Sequence, residues 1–278
     1  FPKIDDILSI SKSDYFIFLN NFSVLQTDFI FNIVKKINQN YLGDVYYFDE
    51  DFIDKRGNRI NPFFKPDWSP YLLRSFNYIG NSFAIHKQLL TKLSDFKLND
   101  QNFHYELLLY CAELSDNFIH MAIPSVSILK TQKIDQSKIL SKHIERLGLN
   151  AVVEFDSTLN TYRVHYSLQN EPKVSIIIPT KNNKVLLKRC IDSLENNTNY
   201  KNFEIIIVDN NSDDKDTLEY YDSIDYEIIS YKDPFNFSKM NNLGYTKTHG
   251  DYILCLNDDT QAIDPNWLTE MVSICQQN

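Results

Sequence analysis

The chain has 278 residues, with 43% hydrophobic and 23% charged residues, a globular balance that argues against disorder or collagen-like repeats. Its net charge of −9 argues against an electrostatic grip on nucleic acid, so no nucleic-acid partner is expected. No apolar run approaches the roughly 20 residues that a membrane span needs. The length suggests about two domains. Cys111, Cys190, Cys255 and Cys275 show no close pairing or metal-ligand spacing, and read as buried reduced thiols of a cytoplasmic protein.

In chain order, residues 15–19 (Tyr15-Phe16-Ile17-Phe18-Leu19) read as a buried strand. Residues 28–37 read as a helix with Phe29, Ile33, Val34 and Ile37 on one face. The strand 45–48 ends at Asp49-Glu50-Asp51, three acids that suit either a metal or an exposed turn before Asp54 and Gly57. Pro62, Pro66 and Pro70 mark 61–70 as an irregular loop. Trp68, within it, is suited to stacking on a sugar ring or to packing the loop on a core. Helical patterns follow at 105–114 and 137–147. Strands at 152–155 and 162–166 flank a turn, so 151–172 reads as a structured connector.

From Lys173 the pattern becomes regular. Strands at 174–178, 204–208, 226–230 and 252–256 alternate with helices at 184–195, 214–221 and 238–246. The expected fold class is α/β, a mainly parallel sheet with helices on both faces. An internal repeat joins the two parts. Ser13-Asp14-Tyr15-Phe16-Ile17-Phe18-Leu19-Asn20 matches Gly250-Asp251-Tyr252-Ile253-Leu254-Cys255-Leu256-Asn257, an offset of 237 residues (251 minus 14).

Three strand ends carry candidate chemistry, because ligands of parallel α/β sheets sit at the carboxyl ends of the strands. The first is Pro179-Thr180-Lys181-Asn182. The second is Asp209-Asn210-Asn211-Ser212, where Asp209 suits either a base or ribose hydroxyl contact or a local Asx-turn. The third is Asn257-Asp258-Asp259-Thr260. Its adjacent carboxylates repel each other, and suit either a divalent cation on a diphosphate or a solvated turn.

Taken together with Asn242-Leu243-Gly244 leading into Gly250-Asp251-Tyr252, these stretches resemble the N-terminal half of a family 2 nucleotide-sugar glycosyltransferase of GT-A, Rossmann-like fold. The N-terminal part resembles the second half of such a domain. The supporting residues are Tyr47-Phe48-Asp49-Glu50-Asp51, Asp54, Gly57, Phe64-Lys65-Pro66-Asp67-Trp68-Ser69-Pro70 and Asn77-Tyr78-Ile79-Gly80. The resemblance is to bacterial tandem glycosyltransferases of O-antigen, capsule and related surface polysaccharides, which Pro234-Phe235-Asn236-Phe237-Ser238 also fits. It implies three regions. Residues 1–150 are the C-terminal part of a first, degenerate domain, 151–172 a connector, and 173–278 the donor-binding half of a second.

The resemblance implies inverting transfer of a sugar from a nucleotide-diphosphate donor to a hydroxyl of a glycan or lipid-linked acceptor. Such acceptors imply peripheral association with the inner face of the cell membrane. Pro179, Thr180, Lys181, Asn182, Asp209, Asn236, Asn257 and Asp258 are the expected donor contacts, and Asp258 and Asp259 the expected ligands of Mg²⁺ or Mn²⁺. In the first copy, Asn21 and Phe22 stand where Asp258 and Asp259 stand in the second, and His104 stands where the family usually has an acid, with Glu106 close by. The same offset puts the second copy's base beyond Asn278, so the chain is expected to be an incomplete piece. The alternative is a non-catalytic scaffold in polysaccharide assembly. A nucleotidyltransferase is disfavoured, since Pro179-Thr180-Lys181-Asn182 lacks a Gly-rich phosphate loop.

Overall fold

The computed structural model describes residues 2–20, 23–39, 42–98, 103–129 and 134–277. In chain order the elements are α1 (Ile4–Ile10), β1 (Tyr15–Phe18), β2 (Ser23–Leu25), α2 (Phe29–Asn38), β3 (Val45–Ile53), β4 (Arg59–Phe63), α3 (Pro70–Ser75), β5 (Phe83–His86), α4 (Lys87–Thr91), α5 (Phe103–Leu114), β6 (Phe118–Ile128), α6 (Ser137–Arg146), β7 (Ala151–Asp156) and β8 (Thr161–Tyr166). There follow β9 (Val174–Thr180), α7 (Lys184–Asn196), β10 (Phe203–Asp209), α8 (Lys215–Tyr221), β11 (Glu227–Ser230), α9 (Phe237–Tyr245), β12 (Tyr252–Cys255) and α10 (Trp267–Cys275). Two units result, Phe1–His165 and Tyr166–Asn278.

The first unit carries a six-stranded sheet of order β1-β5-β3-β6-β2, with β4 paired to β3. The fold is mixed α/β as expected, but among the described residues of this unit's six-stranded sheet only β3 and β6 pair in parallel. The pairs β1–β5, β3–β5, β2–β6 and β3–β4 are antiparallel. A short turn reverses the chain, whereas a parallel pair needs a crossover. Asp54 makes such a turn between β3 and β4, accepting hydrogen bonds from the Arg56 and Asn58 amides. Alternation along β3 divides the core. Val45 and Tyr47 face one cluster with helix α5, and Tyr46 and Phe48 face another with Phe29 and Ile33 of α2. Val34, expected on the buried face of that helix, is 49% exposed.

The expected end of β3 at Phe48 also changes. The strand runs on to Ile53, and Asp49, Glu50 and Asp51 are buried within it. They form neither an exposed turn nor a metal cluster. Asp49 lies 2.8 Å from His120 Nε2 and accepts from the Lys65 amide, Glu50 pairs with the Lys65 ammonium at 2.9 Å, and Asp51 pairs with Arg59. Lys65 is itself buried and also donates to the Ile79 carbonyl, so burial pulls its pKa down while Glu50 opposes the shift. The expected irregular loop is partly strand, because β4 includes Pro62, and its last proline opens α3. Trp68 stacks on Phe118 with ring centroids 3.8 Å apart, which is the packing alternative.

The hairpin β7–β8 lies on the first unit, with Tyr162 in its core and Val153, Phe155 and Val164 packed against it. The boundary between the two units falls at His165, within the stretch 151–172. Of the cysteines expected to be buried, Cys111 and Cys190 are, but Cys255 and Cys275 are exposed; all four are free thiols.

The second unit is a four-stranded sheet of order β11-β10-β9-β12, parallel throughout. All seven residues of β9 are buried, as a central strand covered on both faces requires. Val174, Ile176 and Ile178 meet residues of α7, α8 and α10 on one face, while Ile177 and Val208 meet Met240 and Leu243 of α9 on the other. Helix α9 approaches closely because residue 244 is glycine: a Cβ there would lie 2.5 Å from Ile177 Cγ2. Gly250 serves β12 similarly, since a Cβ would lie 2.7 Å from the Lys173 carbonyl and the Ser175 amide. Among the described residues, no helix is long and apolar enough to cross a membrane.

Candidate functional site

The carboxyl ends of β9, β10, β11 and β12 form one edge of the second unit's sheet, and the expected residues are distributed along it. Pro179 was expected to break β9 into a loop, but it is buried inside the strand, opposite Val208 of β10. It is tolerated because Ile177, of the same parity, bonds toward β12 through Leu256 N, and β12 pairs no further than Cys255. The missing N–H of Pro179 therefore faces a place where the neighbouring strand has ended.

Thr180 ends the strand and is buried. Its hydroxyl donates to Asp258 Oδ2 at 2.7 Å, and the Asn183 side-chain amide donates to the same oxygen at 3.2 Å. This joins the β9 loop to the expected metal motif 78 residues away. Asp258 is half-buried, whereas Asn257 and Asp259 are exposed. Burial pushes the Cys190 thiol up to about 11, and the carboxylates of Asp258 and Asp259 add to the shift. Both acids thus act on one side of α7. Among the described residues no group of three or more His, Cys, Asp or Glu side chains could hold a metal. Two carboxylates, one of them oriented by Thr180 and Asn183, fit a hard cation that takes its remaining oxygens from a ligand and water.

Asp209, 7% exposed at the end of β10, accepts from the Ser212 amide and hydroxyl and from the Tyr221 hydroxyl at 2.9 Å. The local-turn alternative is thus realised, though the cap of α8 is Asp214, which accepts from the Thr217 amide. Burial first, and then the Asp209 carboxylate, raise the Tyr221 phenol. Asn182 is held in the left-handed region at φ 48°. Its side-chain oxygen accepts from the Asp213 and Asp214 amides, and its amide group donates to the Asp213 carboxylate. It therefore clamps the β9 and β10 loops together, while Lys181 beside it is exposed.

Asn236 is exposed and caps α9, accepting from the Lys239 amide at 3.0 Å. Asn210, buried beside Asp209, donates to the Tyr231 and Asp233 carbonyls and so ties the β11 loop to β10. Asn183 and Tyr221 were not among the expected site residues, and Asn210 entered only as part of the Asp209-Asn210-Asn211-Ser212 strand end, with no role of its own. Nothing in their own spacing distinguishes them, because their partners come from other strands or helices. In the first unit, Asn21 and Phe22 lie outside the described residues. His104 is buried with its ring stacked on Phe103, and Glu106 opens α5.

The model of Glycosyl transferase family 2 matches residues 175–278, nearly the whole of this unit. The chain is 33% identical over 248 residues to the O-antigen biosynthesis protein RfbC of Myxococcus xanthus, covering 83% of this chain and 19% of that protein. It is 34% identical over 99 residues to GalNAc(5)-diNAcBac-PP-undecaprenol beta-1,3-glucosyltransferase of Campylobacter jejuni, covering 33% of this chain and 31% of that one. The chain thus spans about a third or less of these curated relatives. Among solved structures, mannosyltransferase PcManGT from Pyrobaculum calidifontis, in complex with GDP-Man and Mn²⁺, aligns with a TM-score of 0.35 at 17% identity, covering 39% of this chain and 34% of that one. Over residues 175–278 the chain is thus similar to glycosyl transferase family 2.

Proposed function

We propose that the second unit holds a nucleotide-diphosphate sugar along the carboxyl edge of its sheet. The protein of which it is part then transfers the sugar, with inversion, to a hydroxyl of a glycan or lipid-linked acceptor in surface polysaccharide synthesis. The observation that carries this reading is the Thr180–Asp258–Asn183 network, which presents one of two adjacent acids at a strand-end edge where such ligands sit. The names of the Myxococcus and Campylobacter relatives support the polysaccharide and lipid-linked parts. An acceptor of the second kind places the reaction at a membrane surface.

On this reading Asp258 and Asp259 hold Mg²⁺ or Mn²⁺, whose chemistry is to neutralise the departing diphosphate. Thr180 and Asn183 would hold the Asp258 side chain in place through its Oδ2. Asp209, fixed by Ser212 and Tyr221, borders the base and ribose end, with Lys181, Asn182 and Asn236 beside it. Asp209 and Asp258 are both committed to neighbours, so neither is free to take the acceptor proton.

The sheets also support the tandem reading. Shifted by 237 residues, β1 falls on β12 and α2 (Phe29–Asn38) on residues 266–275, which α10 fills from Trp267. Yet among the described residues β1 pairs only with β5, antiparallel, and β12 only with β9, parallel. We read the two units as complementary parts of one repeated domain, with 1–165 the later part of a first copy and 166–278 the earlier part of a second.

Calorimetry of the full chain with UDP-, dTDP- and GDP-sugars in Mn²⁺ tests the donor site. The expected result is metal-dependent binding of one nucleotide class, lost in the Asp258→Ala/Asp259→Ala variant. Binding that survives the substitution would overturn the assignment. Absence of binding in the parent chain would favour a non-catalytic scaffold.

A further inference from the structure

The donor reading leaves one prominent feature of the same edge unused. Phe235 is 71% exposed, yet the backbone around it is held on both sides. Before it, the Tyr231 amide donates to the Asp209 carbonyl at 2.7 Å, Asn210 donates to the Tyr231 and Asp233 carbonyls, and the Tyr231 hydroxyl donates to the Pro234 carbonyl. After it, Asn236 is fixed as the cap of α9. Leaving a phenyl ring in water forgoes roughly 1.5–3 kcal/mol of burial. A well-tethered loop that displays one therefore offers a fixed apolar face to a ligand on this edge.

The position of the ring says which part of the ligand that is. Strand order β11-β10-β9-β12 puts the Phe235 loop at one end of the edge and Asp258 and Asp259 at the other. Three strand spacings separate those ends, about 14 Å, comparable with the reach of an extended nucleoside diphosphate. With the phosphates at the acidic end, the base falls at the β11 end. The β9, β10 and β12 loops supply no ring there: their residues are Thr180 to Asn183, Asn210 to Asp214 and Leu256 to Thr260.

We propose that Phe235 is the stacking platform for the nucleobase of the donor, a role that rests on the donor-site reading above. The ring offers a face to any base, and so contributes affinity, while the choice among bases falls to polar groups around it.

The test measures the full chain by calorimetry in Mn²⁺, with the nucleoside diphosphate that binds best among UDP, dTDP and GDP, and with inorganic pyrophosphate. Phe235→Ala is expected to weaken the nucleoside diphosphate about tenfold and to leave pyrophosphate unchanged. Phe235→Trp is expected to keep the parent affinity and to show indole quenching on nucleotide addition beyond that of the parent. Nucleotide affinity unchanged in Phe235→Ala, or an equal loss for both ligands, would overturn the stacking role while leaving the donor site standing. A parent chain that binds neither ligand would overturn both.

Discussion

Glu204 shows how a single carboxylate couples several segments. It sits near the start of β10 and accepts from the Ser175 hydroxyl at 2.6 Å and the His249 amide at 2.7 Å, while Lys173 pairs with its other oxygen. Burial alone would raise its pKa, but the hydrogen bonds from Lys173, Ser175 and His249 outweigh it and bring the value down to about 2. An unfolded chain takes up this proton near 4.5, before the folded chain does. The resulting stabilisation is whole above about 4.5 and is lost as pH falls from there toward 2. Glu204→Gln is expected to lower stability by ~2 kcal/mol at pH 6, and urea denaturation at decreasing pH should show the gap to the parent closing below 4.5. A gap independent of pH would contradict the assignment.

Helix α9 poses a conflict between local preference and packing at Gly244. Alanine is the better helix former by about 0.5–1 kcal/mol, so propensity alone favours Gly244→Ala. The new methyl would lie 2.5 Å from Ile177 Cγ2 and 3.0 Å from Val208 Cγ2, both on buried β-branched side chains with little freedom to move. Overpacking of this kind costs roughly 1–3 kcal/mol, so the expected outcome is a net loss of stability in chemical denaturation. The same displacement would move the Asn236 cap and, on the proposed reading of the site, weaken nucleotide binding. A variant as stable as the parent would show that α9 has room that the structure does not give it.

On the scale of the whole chain, each unit has its own sheet and core clusters. The first is organised around buried charge. Lys65 answers Glu50 and the Ile79 carbonyl, with Asp49 and His120 beside them. Lys65→Ala would leave Glu50 without its ammonium partner, a loss of about 3–5 kcal/mol for a broken buried pair. We expect an early unfolding transition for the first unit, seen by calorimetry, with nucleotide affinity of the second unit unchanged. A parallel fall in affinity would mean that the donor site depends on the first unit.

The alternation of apolar strands and amphipathic helices from Lys173 onward was sufficient to establish the parallel sheet, and the acids and amides after its strands marked the edge where the site is proposed. Those features are local: a strand's period, a turn residue and a helix start are written in neighbouring positions. Strand direction in the first unit was not, because a buried run such as Tyr46-Tyr47-Phe48 reads the same beside a parallel or an antiparallel neighbour. Asp49, Glu50 and Asp51 read as either a metal set or an exposed turn because their partners Lys65, His120 and Arg59 approach only when the chain folds back. Thr180 and Asn183 meet Asp258 for the same reason, across 78 and 75 residues. The sequence by itself marked the alternating strands and helices of residues 174–256, some of the elements before them, and the strand ends that carry polar residues. Only the tertiary structure decided which of those polar groups are joined, since hydrogen bonds and ion pairs are set by distance in space.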